Sequence, residues 1–342
     1  MKKLIQLTTV SLFAICSLTT NAQDVHFSQM FETPLLRNPS LAGLFSGDVR
    51  LQSVIRSQWN SVTVPYQTTS LSAEVKKKVG AADDFITIGG QVVYDKAGTI
   101  ALTSTQVLPS FNYHKSLSAE RNTYLSFGFM GGLVQRRFDR SKMTTNNQYD
   151  GNAYNSEIAD GETFLKPSYA YLDGSVGMSL NNQIGENFDN NFYAAVAYHH
   201  FNQAKKTSFY ESEDVRMTPK WVGSFGIRMS MTEKSYFTLQ SDYSVQGNHK
   251  EIIGGALYTM RLDNAEVSRY SLHLGSYLRW KDAIIPVAKL EINGMSISAS
   301  YDANISMLKQ SSNGQGGFEL SLAYQKAKKN NSSMDAVKCP KF

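Results

Sequence analysis

The feature that most constrains this chain is strand-type alternation, first seen in Val49 to Trp59, which reads V-R-L-Q-S-V-I-R-S-Q-W. Successive side chains of a strand point to opposite faces. Val49, Leu51, Ser53, Ile55 and Ser57 therefore share one side, and Arg50, Gln52, Val54, Arg56 and Gln58 the other. Trp59 stands where such a strand leaves its apolar surroundings, a boundary that favours an amphipathic ring. About thirteen later stretches repeat the pattern. The cleanest is Arg121 to Arg136, which sets Leu125, Phe127, Phe129 and Leu133 against Tyr124, Ser126, Gly128 and Gly132.

An export signal precedes these strands. Lys2 and Lys3 give a positive start, Leu4 to Cys16 an apolar run, and Thr20-Asn21-Ala22 small residues at a cleavage site, so residues 1–22 read as a signal peptide and Gln23 as the first mature residue. Ile15 occupies the place where a lipoprotein signal needs a small residue, which disfavours Cys16 as a lipid attachment point. Beyond the signal, the longest apolar run, near Ile284 to Ala288, is far short of the roughly 20 residues a spanning helix needs. The mean hydropathy of -0.31 is compatible with a membrane barrel, because only every second strand residue meets lipid.

The formal charge of +5 falls to +3 once Lys2 and Lys3 are removed, and much of the remainder lies in the tail after Lys326. A basic face on the folded part, as nucleic-acid binding requires, is not expected. With Cys16 removed, Cys339 is the remaining thiol, so no disulfide can brace the mature chain.

Residues 23–47 lack clean periodicity and are punctuated by Pro34, Pro39, Gly43 and Gly47. They read as a segment that plugs a lumen or lies against a rim. Residues 48–325 read as the barrel and 326–342 as a basic periplasmic tail. If the N-terminus is periplasmic, the long connections Phe138 to Lys166, Asn202 to Met217 and Ile305 to Gly317 face outward. The tight turns at Met231–Lys234 and Asn293-Gly294 then face inward, as outer-membrane barrels require. The predicted fold is an all-β, transmembrane, antiparallel up-and-down barrel of about fourteen strands, closed so that no edge is left unpaired in lipid.

Motifs with catalytic chemistry are weak. Asp95-Lys96-Ala97-Gly98-Thr99 is similar to the aspartyl-phosphate motif of P-type ATPases, but Ala97 replaces its threonine and a hairpin around Gly98 accounts for it better. His199-His200 suggests metal, yet neighbouring strand residues face opposite ways; the pair reads as one lumen-side and one lipid-boundary histidine. No nucleophile elbow, zincin or phosphate-loop motif is present. The expectation is a non-enzyme with no catalytic residue, metal or cofactor. Arg50, Arg56, Gln58, Gln91, Asp173, Arg228, Gln240 and Asp242 point inward and would line a pore or form an ion-paired wall.

Several segments, in order, resemble the PorP/SprF family of type IX secretion system membrane proteins. They are Gln23-Asp24-Val25-His26-Phe27-Ser28-Gln29, Asn38-Pro39-Ser40-Leu41-Ala42-Gly43, Arg56-Ser57-Gln58-Trp59, Asp95 to Gly98, Asp173 to Gly177, the His200 to Phe209 stretch, Gly316 to Leu320 and the terminal Cys339-Pro340-Lys341-Phe342, where the family more often has arginine in place of Lys341. The resemblance implies an outer-membrane barrel of Bacteroidota that holds or helps export a secreted surface adhesin through its C-terminal sorting domain, in some relatives for gliding motility. It also implies a periplasmic partner, either secretion machinery or a peptidoglycan-binding protein. The contact residues expected on this reading are His26, Phe27, Gln29, Asn38, Pro39, Arg56, Gln58 and Trp59 in the lumen and Tyr149, Tyr154, Phe164 and Tyr210 on the outer loops. Cys339, Pro340 and Phe342 are expected to make contacts from the tail. Outer-membrane lipid is the remaining partner. The alternative is an outer-membrane channel for a small or hydrophobic solute; a periplasmic β-sandwich is the third option.

Overall fold

The computed structural model describes residues 24–60, 64–80, 83–162, 164, 166–187, 189–205, 207–209, 215–263, 269–306, 309, 312 and 314–326. Tyr210, Cys339, Pro340 and Phe342, like residues 1–22, which are expected to form a signal peptide, lie outside these described residues.

The alternating stretches become strands β1 (Val49–Gln58), β2 (Tyr66–Lys78), β3 (Phe85–Ala97), β4 (Leu102–Ser118) and β5 (Thr123–Arg137). The second group is β6 (Ser168–Gln183), β7 (Asn191–His199), β8 (Lys220–Thr232), β9 (Ser235–Gln246) and β10 (His249–Arg261). The circuit ends with β11 (Tyr270–Arg279), β12 (Ala283–Ile292), β13 (Met295–Asn304) and β14 (Gln315–Lys326). Each strand pairs antiparallel with the next, and β14 returns to β1, with Val49 opposite Lys326 and Arg56 opposite Glu319. This closed circuit removes every sheet edge, and it overturns the β-sandwich option, which needs two open sheets.

Alternation sorts the faces. Leu51 and Ile55 are half exposed while Arg50, Gln52 and Arg56 are buried, and Phe127, Phe129 and Leu133 stand outside a wall whose inner side holds Tyr124, Ser126 and Met130. An apolar belt so continuous is too large for water and is the lipid-facing surface. No helix among the described residues is long and apolar enough to cross a membrane.

The β12–β13 turn is a two-residue hairpin with Asn293 and Gly294 both at positive φ, the backbone such turns demand. It lies on the same end as the start of β1, whereas the long connections 138–167 and 200–219 lie at the other end. In an outer-membrane barrel the long-loop end faces the exterior.

Inside the barrel runs the segment 24–47. It contains a 3-10 turn at Met30–Glu32, one short helix, α1 (Pro34–Arg37), and a second 3-10 turn at Pro39–Leu41. Asn38 caps that last turn by accepting from the Ser40 amide, and Pro at the first position suits a terminus whose N–H has no partner.

Candidate functional site

The lumen segment runs the height of the barrel, from Asp24 at the outer end to Gly47 at the start of β1. At the outer end His200 lies one residue beyond β7. Its Nε2 is 2.7 Å from Asp24 and its Nδ1 2.8 Å from Asp173, so the imidazole holds protons on both nitrogens. Burial opposes that charge, but Asp24 and Asp173 outweigh it and raise the His200 pKa to about 9. Burial likewise acts to raise the pKa of Asp24, and His200 and Lys220 hold it below the ordinary carboxylate range. The expected split of His199 and His200 across the wall is corrected here. His200 adopts φ +57°, which breaks strand alternation and turns its ring inward, and both histidines are buried. His199 Nε2 donates to the Arg37 carbonyl, 3.0 Å away.

Next along the segment is a buried ionic node. Glu319 accepts the backbone N–H groups of Ser28 and Gln29 at 2.5 and 2.7 Å. Arg56 bridges Glu319 at 2.6 Å and Asp302 at 2.9 Å while donating to Ser28 Oγ. Arg279 reaches the same hydroxyl and Asp302. Ser28 Oγ in turn donates to Asp302. Charged groups buried this deeply are tolerated only when paired and hydrogen-bonded, and here each holds Ser28 of the plug against the wall, Glu319 through its backbone and the others through its hydroxyl.

Lower down, neutral contacts take over. Asn112 donates to the Ser40 and Ala42 carbonyls at 2.7 and 2.9 Å, and Ser179 donates to Ser40. Gly128 lets the Pro39–Ser40 backbone lie directly on β5; a side chain there would collide with it. Two charged ties flank this patch: Arg37 to Asp242 at 2.5 Å and Lys289 to Glu32 at 2.9 Å.

Among the described residues, two larger cavities lie between plug and wall. The outer one, about 440 Å³, is bordered by His26, Gln58, Trp59, Lys250, Glu251 and Trp280. The inner one, about 420 Å³, opens beside Gly47, Gly294 and Gln325. An apolar cluster separates them. Along β10, Glu251 borders the outer cavity, Ile253 joins the cluster and Leu257 borders the inner one. Along β11 the order is Arg279, Tyr277, His273, and Met30 with Phe31 closes the layer from the plug.

The residues expected as contacts divide by place. Phe27, Gln29, Asn38, Pro39 and Arg56 are buried in the plug and its wall. His26, Gln58 and Trp59 border the outer mouth. Trp59, at φ +65°, lines this cavity together with Gln58. Tyr149 and Tyr154 are 59% and 53% exposed on the long outer loop, paired by an isolated bridge. Phe164 instead packs on Phe138 at 4.8 Å, and Phe209 caps the same ring, so it braces loops 138–167 and 200–219 against each other. Ser28, Glu32, Glu74, Asp302 and Glu319 were missed. Alternation alone places Glu319 inward between Phe318 and Leu320.

No group of three or more metal-ligating side chains occurs among the described residues. The family described as Type IX secretion system membrane protein PorP/SprF matches residues 19–324. No curated protein matches the chain. Among solved structures, the toluene transporter TbuX of Ralstonia pickettii is similar, at TM-score 0.50 and 10% identity, covering 86% of this chain and 93% of that one. A FadL homologue of Pseudomonas aeruginosa aligns at TM-score 0.47 and 9% identity over 84% and 92%. At such identities the likeness to TbuX speaks for the barrel fold alone.

Proposed function

Because this chain belongs to the PorP/SprF family of type IX secretion system membrane proteins, we propose that it is a non-enzymatic barrel of the outer membrane that docks, anchors or helps export a secreted surface protein. The client is an adhesin carrying a C-terminal sorting domain, as in gliding relatives, and the signal peptide 1–22 delivers the barrel precursor. The observation that carries this reading is the filled lumen. A segment tied to the wall from Asp24 to Gly47, with an apolar cluster of plug and wall residues between two cavities, suits a holding device better than a conduit. The client meets the outer mouth beside Trp59 and Trp280 and the exposed Tyr149 and Tyr154, since aromatic anchors dominate interface energetics. The inner rim and the tail meet secretion machinery or a peptidoglycan-binding protein.

Affinity purification from native membranes tests the reading: a large secreted protein should co-purify, and its recovery should fall when Tyr149 and Tyr154 are both changed to serine. Unchanged surface display of every type IX client after gene deletion would refute it. The rival is a solute channel; TbuX is named a toluene transporter. Steady ohmic current through the purified barrel in a planar bilayer would favour that rival.

A further inference from the structure

The outer cavity of about 440 Å³ differs in kind from the inner one. The inner lining includes Phe31, Pro34, Leu41 and Leu44, whereas no aliphatic side chain and no phenylalanine borders the outer cavity. Apart from Gly316, Trp59 and Trp280, every residue that lines it is polar or charged. These are two of the chain's three tryptophans. The third, Trp221, stands half exposed on the lipid face of β8 beside Tyr198.

The buried charges of this cavity are already matched. Arg56 is paired with Asp302 and Glu319, and Arg279 with Asp302 and Asp282. What stays open is hydrogen-bonding capacity. The amide nitrogen of Gln58, the ammonium of exposed Lys250 and the indole N–H groups of Trp59 and Trp280 have no partner among the described residues. Glu251, 3.8 Å from Arg279 and 3.9 Å from His26, accepts no hydrogen bond among them. A cavity of balanced charge gives little preference to an ion, and one without aliphatic surface gives none to a hydrocarbon body. Closely spaced donors and acceptors beside flat, amphipathic rings fit a ligand that is neutral, rich in hydroxyl groups and apolar on the C–H faces of its own rings. Arg56, Gln58, Glu251, Arg279 and Asp302 are on the lumen side of their strands, so the wall stands between this cavity and the lipid headgroups.

We propose that the outer cavity binds a soluble neutral saccharide, with a sugar ring stacked on Trp59 or Trp280 and hydroxyls bonded to Gln58, Lys250 and Glu251. The site lies at the mouth assigned to the client, but it forms in the barrel alone and stands or falls apart from client docking.

The test is titration of the full chain in nanodiscs with maltotriose, cellotriose, xylotriose and triacetylchitotriose, read by calorimetry and by tryptophan emission. Trp221→Phe leaves Trp59 and Trp280 as the reporters. At least one of these sugars should bind and shift the emission, equally at low and high salt, because the ligand carries no charge. Trp280→Ala, at a position 60% exposed, should weaken that binding roughly tenfold. Glu251→Gln should act in the same direction, and neither change should alter the barrel's heat-modifiable gel mobility. Tyr149→Ser combined with Tyr154→Ser, the change expected to release the client, should leave saccharide binding intact. No binding of any of these sugars at millimolar concentration, or binding unchanged in both Trp280→Ala and Glu251→Gln, overturns the proposal. Equal binding of N-acetyl-triglycine amide also overturns it, by assigning the cavity to a peptide.

Discussion

In the outer half of the lumen, Ser28 and Gln29 hang from charges; in the inner half, residues 38–42 rest on neutral hydrogen bonds and close backbone contact. Glu319, Arg56, Asp302 and Arg279 form the outer node, all buried, whereas Asn112, Ser179 and Gly128 form the inner seat. The two halves should fail differently. A buried ionic node fails when one partner is removed, because the rest are left charged and unpaired. A close-packed seat fails when volume is added.

The sharpest way to separate them is Arg56→Ala, which strands Glu319 and leaves Asp302 to Arg279 alone. The expected cost is about 3–5 kcal/mol, felt first as faster proteolysis and hydrogen exchange of residues 24–32 while residues 38–42 stay protected. Equal protection of both halves would mean that the node does not hold the plug. One residue earlier, Ile55→Arg acts on the opposite face of β1. It should cost about 2–4 kcal/mol of barrel stability if Ile55 lies near the bilayer midplane, read by refolding into vesicles, with no selective loosening of residues 24–32. Gly128→Leu should lift Pro39 and Ser40 off β5 at about 1–3 kcal/mol, exposing the inner seat while the outer node persists.

Legibility followed the same division. The fourteen strands were readable because lipid outside and a packed lumen inside impose one period-two pattern, and Asn293-Gly294 names its own turn chemistry. The path of residues 24–47 was not, because 3-10 turns and one short helix leave no periodicity and their partners are remote. Ser28 meets Glu319, 291 positions away. Alternation tells which face Glu319 occupies but not which backbone it accepts. His200 was misassigned because one residue at positive φ reverses the face that alternation predicts.

The smallest effect concerns the outermost tie, Asp24 to His200. His200 has its pKa raised to about 9 in the folded protein against an ordinary value near 6.5. A raised pKa means that its stabilisation is complete below about pH 6.5 and is lost as pH climbs toward 9. Through that window the closed form holds a proton that the released histidine gives up, so opening of residues 24–26 should grow with pH, by at most tenfold per unit because a single proton is exchanged. Below the ordinary carboxylate range the sign reverses, since protonating Asp24 removes its charge and loosens the same contact. Hydrogen exchange of these residues, corrected for intrinsic rates, should therefore be slowest near pH 5–6. In His200→Gln the alkaline rise should vanish while the node at Arg56 keeps its protection. A rise that survives this substitution would move the titrating group elsewhere in the outer mouth.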